Sequence, residues 1–181
     1  MRRIGSLGAL LAACAGAPTG AHPDASITPD ATAPVDLVTN AGWSLLPAAD
    51  DPWAARIDPA RPCDPLGLRD ESSFFEIDTR ICASASLAQP SQSAVRAGDR
   101  LTAVIWNQGL IADGPAVGHV ALSLDGHVLL EEEVPIPSEA RVFELDASSM
   151  FDASAGARII WHVDNHGFNN WRIAYVRVAT P

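Results

Sequence analysis

From residue 72 to the end of the chain, apolar and polar residues alternate in short runs, and glycine, proline, asparagine and aspartate separate the runs. A period of two marks a half-buried strand, because successive side chains point to opposite faces of a sheet. Eight such runs can be read, at 74–78, 81–88, 101–106, 117–124, 128–134, 141–145, 157–164 and 171–178. Asp125-Gly126 separates the fourth from the fifth. That pair predicts a tight hairpin, since a type I′ turn needs positive φ at both central residues. Pro135 and Pro137 are expected to end the fifth run, because proline cannot donate to a ladder. No run shows the 3.6-residue period of a helix. The pattern predicts an all-β fold: a single β-sandwich, jelly-roll or immunoglobulin-like, of about eight strands.

The regular pattern begins late. Residues 15–34 are mostly Ala, Pro, Thr, Asp and Gly. A segment so poor in large apolar residues cannot offset its ordering entropy, and it reads as a flexible tether that includes His22. Between 35 and 57, Leu37-Val38, Trp43 and Leu45-Leu46 suggest a short strand or a packing segment. The expected organisation is a leader over 1–13, Cys14 with a tether to 34, and one sandwich domain over 35–181, enough for a single core.

The first residues, MRRIGSLGALLAACAG, combine Arg2 and Arg3 with an apolar run too short to span a bilayer, which takes about 20 residues. This is the form of an export signal. Leu11-Ala12-Ala13-Cys14 resembles the lipobox of bacterial lipoproteins. The resemblance implies cleavage before Cys14, a diacylglyceryl thioether on it, and a protein held at a membrane by its lipid. Ala15, where inner-membrane retention would favour Asp, implies the outer membrane of a Gram-negative envelope.

Charge narrows the partners. The chain has 12 basic residues, all of them Arg, so lysine Schiff-base chemistry is excluded. Loss of Arg2 and Arg3 leaves ten basic against 22 acidic residues, a net charge of −12. Nucleic acid is then an unsuitable partner, since its binding rests on phosphate neutralisation. With Cys14 assigned to lipid, Cys63 and Cys82 are left to pair as a disulfide in an oxidising compartment.

Candidate chemistry concentrates in WHVDNHGFNNW, residues 161–171. On a strand, Ile159, Trp161 and Val163 would face the core, and Ile160, His162 and Asp164 the other side. His162, Asp164 and His166 then form His-x-Asp-x-His, with His119 on another run as a fourth group. Imidazole and carboxylate so placed suit a divalent metal, zinc by chemistry. The alternative is a solvated polar face ending in a turn. A second site reading uses Trp171 with Asn169 and Asn170, since sugar sites stack pyranose faces on aromatic rings and use amides for hydroxyls. Here Trp161 and Tyr175 are expected in the core. Over about twenty residues, the Asn-rich loop and alternating last strand resemble the end of jelly-roll carbohydrate-binding modules. There is no G-x-S-x-G, H-E-x-x-H or P-loop, and in Glu131-Glu132-Glu133 adjacent carboxyls face opposite ways, so the run reads as a solvated strand end. The expectation is a binding or structural module of the envelope, with a glycan or another envelope protein as partner; the alternatives are a carbohydrate-binding domain, or a metal-binding protein or metal-dependent enzyme that uses the His-x-Asp-x-His strand.

Overall fold

The computed structural model describes residues 33–164 and 168–180. The leader, Cys14, His22 and nearly all of the tether lie outside these residues, as do Asn165, His166 and Gly167. The elements are β1 (Val35–Asp36), β2 (Ser44–Leu45), β3 (Leu68–Asp70), β4 (Phe75–Asp78), β5 (Ser84–Pro90), β6 (Arg100–Asn107), β7 (Ala116–Leu124), β8 (His127–Ile136), β9 (Arg141–Ser148), β10 (Arg158–Asp164) and β11 (Asn170–Ala179). Eight of them, β4 to β11, are four residues or longer and coincide with the eight runs of the pattern. Helical structure among the described residues is confined to four 3₁₀ turns before β3, and no described helix is long and apolar enough to cross a membrane.

Two antiparallel sheets face each other. One runs β3-β4-β11-β6-β9, with β1 also on β11; the other runs β2-β5-β10-β7-β8. Their inner faces supply the core: Phe75, Ile77, Leu101, Ile105, Phe143, Trp171 and Ile173 from the first sheet, and Leu87, Val120, Leu122, Ile159, Trp161 and Val163 from the second. Trp161 and Trp171 are fully buried. A buried Trp removes about 150–250 Å² from water, worth roughly 4–6 kcal/mol at ~25 cal/mol per Å². Leu37 and Trp43 close one side of the core, Trp43 standing edge-on to Trp161 at 6.0 Å between ring centroids.

Local chemistry fits the pairing. Asp125 and Gly126 have φ of 51° and 80° and join β7 to β8 as a two-residue hairpin. Cys63 and Cys82 form the disulfide, 19 residues apart. Gly67 lies against it: a Cβ there would stand 2.8 Å from Cys82 Sγ, so a side chain would force the bridge aside.

Three expectations are corrected. β8 continues through Pro135, which pairs with Val117, because β8 is an edge strand and Pro135 can leave its missing donor on the open side. The second run begins at Ser84 rather than 81, since the backbone N–H groups of Ile81 and Cys82 turn back to the Asp78 carbonyl. Tyr175 is half-buried on the outer face, and the Arg177 guanidinium lies 4.1 Å over its ring. A register shift between Ile173 and Tyr175 changes the alternation, so that Val176 takes the inward place.

Candidate functional sites

The metal candidates converge on the outer face of the five-stranded sheet. The register aligns Ser84, Asp164, His119 and Glu133 across β5, β10, β7 and β8, and beside them Ser86, His162, Ala121 and Glu131. The face is not open to solvent. The segment from Leu46 to Ile57 crosses it, and Trp53 packs with Ala88, Ala121 and Ile160. Trp53 stacks on His162 at 5.4 Å between centroids, and its Nε1 donates to Glu131 Oε1 at 3.0 Å. Arg56 pairs with Glu133 at 2.6 Å and lies 3.9 Å from Asp164. The polar strand face was legible in the alternation; the strap that covers it was not, because 3₁₀ turns leave no period.

Beneath the strap, His119 and His162 stand 5.2 Å apart between ring centroids and are almost wholly buried. His119 Nε2 lies 2.9 Å from Glu131 Oε1, and Ser86 Oγ lies 2.7 Å from His162 Nδ1. The remaining ring nitrogens, His119 Nδ1 and His162 Nε2, are buried without a hydrogen-bond partner. Burial first, then His119 and Arg56, push the His162 imidazole down to about 3. Hydrogen bonds from Trp53 and His119 hold the Glu131 carboxyl below its usual range. Among the described residues, no group of three or more His, Cys, Asp and Glu could hold a metal. His166, the third residue of His-x-Asp-x-His, lies outside them.

The sugar-site candidates are placed differently from expectation. Trp171 is fully buried between the sheets, tilted against Phe143 at 5.5 Å, and offers no ring face to a ligand. Its parity explains this: Trp171 and Ile173 share one face of β11, and that face is the core. Asn169 is also buried; its side chain bonds the backbone N–H and carbonyl of Ile111 and so ties two loops together. Asn170 is the candidate that reaches an outer face, where its Nδ2 donates to Glu76 Oε1 at 3.0 Å.

That outer face, on the six-stranded sheet, carries a row the sequence reading missed. Arg69, Glu76, Arg172, Trp106 and Val142 are successive cross-strand partners over β3, β4, β11, β6 and β9. Glu76 anchors it, accepting from Arg172 Nε at 2.7 Å, with Arg69 Nη1 3.5 Å away. Arg172 lies 5.1 Å over the Phe74 ring, and Phe74 meets Trp106 edge-on at 5.3 Å. Trp106 is half-buried, so part of the indole remains accessible. Next to the row, the hydrogen bond from Arg80 holds the Asp78 carboxyl low against its burial. The alternation over 101–106 was the available signal: Thr102, Val104 and Trp106 share the face opposite Leu101, Ala103 and Ile105. An aromatic ring flanked by guanidinium, carboxylate and amide groups can meet both the C–H face and the hydroxyls of a sugar.

No protein-family model matches the chain, and no curated protein matches it. Among solved structures, one described as CBM4 is 14% identical over 77% of this chain and 86% of that chain, with a TM-score of 0.39. The CBM22-1–GH10 modules of the Clostridium thermocellum endo-1,4-beta-D-xylanase 10B, complexed with xylohexaose, are 11% identical over 80% of this chain and 28% of that one, at a TM-score of 0.43. The Agl-KA catalytic domain is 8% identical over 60% of this chain, with a TM-score of 0.36. This chain spans about a fifth of the length of that catalytic domain. Likenesses at these identities and TM-scores say nothing about the ligand of this chain.

Proposed function

We propose that the protein is a glycan-binding module held at the cell envelope by a lipid on Cys14, and that it binds its ligand on the outer face of the six-stranded sheet. The observation that carries this reading is the row across five strands in which a half-buried Trp106 stands beside the Arg172–Glu76 pair. Trp106 supplies the stacking surface. Arg172, Arg69 and Asn170 supply donors, and the buried Glu76 holds all three in place without ligand. Preorganised polar groups around an aromatic platform reduce the ordering cost of binding.

The purified chain is to be screened on a glycan array, and the retained polysaccharide titrated against Trp106→Ala. Affinity is expected to fall at least about tenfold, equivalent to ~1.4 kcal/mol, while the variant still melts cooperatively as a folded protein. Undiminished affinity in a folded Trp106→Ala protein would remove this face from consideration. The location is tested separately. Cys14→Ser is expected to move the protein from the membrane fraction to the soluble fraction of envelope preparations; if it stays with the membrane, the lipid anchor is wrong.

A further inference from the structure

The strap that covers the two histidines is also one wall of a groove. The groove lies on the other sheet from the proposed glycan surface and does not depend on it. We propose that it binds a linear aliphatic diamine or polyamine, whose ammonium groups are held by Asp50 and Asp51 of the strap and by Asp125 of the hairpin.

The groove has a volume of about 680 Å³. That lies within the ~300–1,000 Å³ of small-molecule sites. Strap residues 49–52 line it, together with the turns at 125–126 and 156–158 and with Ile160 of β10. Trp53 fixes the strap here by packing on Ile160, Ala88 and Ala121. Backbone bonds hold it as well: the Asp50 N–H donates to the Pro47 carbonyl at 2.9 Å, and the Ala54 N–H to the Asp51 carbonyl at 3.2 Å. On the sheet side, the Asp125 N–H donates to the Arg158 carbonyl at 2.8 Å, which fastens the hairpin to the start of β10. The walls are therefore set before any ligand arrives.

Asp51 gives the sign of the ligand. It lines the groove and is 7% exposed. Its Oδ1 accepts from the backbone N–H of Trp53 at 2.8 Å, while its Oδ2 is buried without a hydrogen-bond partner. A buried carboxylate oxygen without a donor costs free energy that an N–H entering the groove would recover. Asp50 and Asp125 add two exposed carboxylates, and Arg158 is the one guanidinium of the lining. None of these four side chains joins an ion pair among the described residues. Three carboxylates against one guanidinium leave a net charge of −2 on the lining, which the two charges of a diamine match.

The spread of the carboxylates decides the size of the cation. Among the described residues, no three His, Cys, Asp or Glu side chains gather at one metal position. Asp50 and Asp51 belong to the strap and Asp125 to the hairpin, so a single compact ion does not meet them all. Two ammonium groups joined by methylenes can reach both walls. The methylene stem then lies against Pro52 and Ile160, as the stem of a lysine covers apolar surface.

The test titrates the full chain by calorimetry with putrescine and with spermidine. The buffer holds about 0.15 M salt, where screening beyond about 8 Å removes diffuse attraction to the acidic chain. Each amine is expected to fill one saturable site. Butylamine, with a single ammonium, is expected to bind at least about tenfold more weakly. Asp51→Asn keeps the Oδ1 acceptor for Trp53, and Asp125→Asn keeps the turn, because asparagine suits the positive φ there. Each variant is expected to stay folded and to weaken putrescine about tenfold or more. The proposal is overturned if the folded wild type binds neither putrescine nor spermidine, if both variants bind putrescine as the wild type does, or if butylamine binds as tightly. It is equally overturned if a trilysine peptide saturates the chain and putrescine does not, which would make the ligand a basic protein segment.

Discussion

Replacing Trp171 by alanine is expected to lower stability by about 3–5 kcal/mol, the range for removing a buried aromatic ring from a packed core. Trp171 is fully buried, faces Phe143 from across the strands of its own sheet, and shares the inter-sheet core with Trp161. For a domain of this size each kcal/mol moves the melting temperature by about 2–4 °C, so a drop of roughly 10 °C is the expected reading in a thermal melt followed by circular dichroism. A drop of less than about 3 °C would contradict the placement of the indole. The same truncation at Trp106 removes a half-buried ring and is expected to lower the melt by clearly less than the loss of Trp171 does. Together the two variants separate a tryptophan that holds the sandwich from one that faces outward.

The second large effect concerns the bridge between Cys63 and Cys82. Closing a loop of 19 residues restricts the unfolded chain by an amount worth about 3 kcal/mol in the chain-entropy model. Cys63→Ser with Cys82→Ser is expected to lose about that much, read as a lower urea midpoint. Reductant should lower the wild-type midpoint to match and leave the double variant unmoved. If reductant shifts both proteins alike, the bridge is not the source. The cost falls on the segment before β3, which the bridge fastens to the turn between β4 and β5 and which Gly67 brings into close contact with Cys82.

The eight long strands were legible because each buries one face, and the period of two survives wherever one face is apolar. The hairpin at Asp125-Gly126 was legible because its φ values suit very few other residues. The strand ends at Pro135 and Ile81 were misplaced for local reasons: an edge strand tolerates proline, and a turn can contain an isoleucine. The parity of Trp171 was also readable, since Ile173 shares its face; the polar loop beside it drew attention away from that alternation. The meeting of His119 with His162 was not readable at all. It depends on β7 and β10 being neighbours, and no local pattern encodes that pairing across the intervening β8 and β9. The strap bearing Trp53 and Arg56 was hidden for a related reason. Its residues hold position through side chains placed on a sheet that forms far along the chain.

The row on the six-stranded sheet has a property that follows from where its backbone lies. Trp106 follows Ile105, Glu76 sits between Phe75 and Ile77, and Arg172 sits between Trp171 and Ile173; each of these neighbours is a core residue. The main chain under the row is therefore fixed by packing on its reverse side. Side chains on the outer surface can be exchanged while the strand path that presents them stays the same. The outer chemistry of such a surface can change by point substitution without rebuilding a loop, and variation among related chains should be concentrated at positions 69, 106, 142 and 172 while the intervening positions hold still.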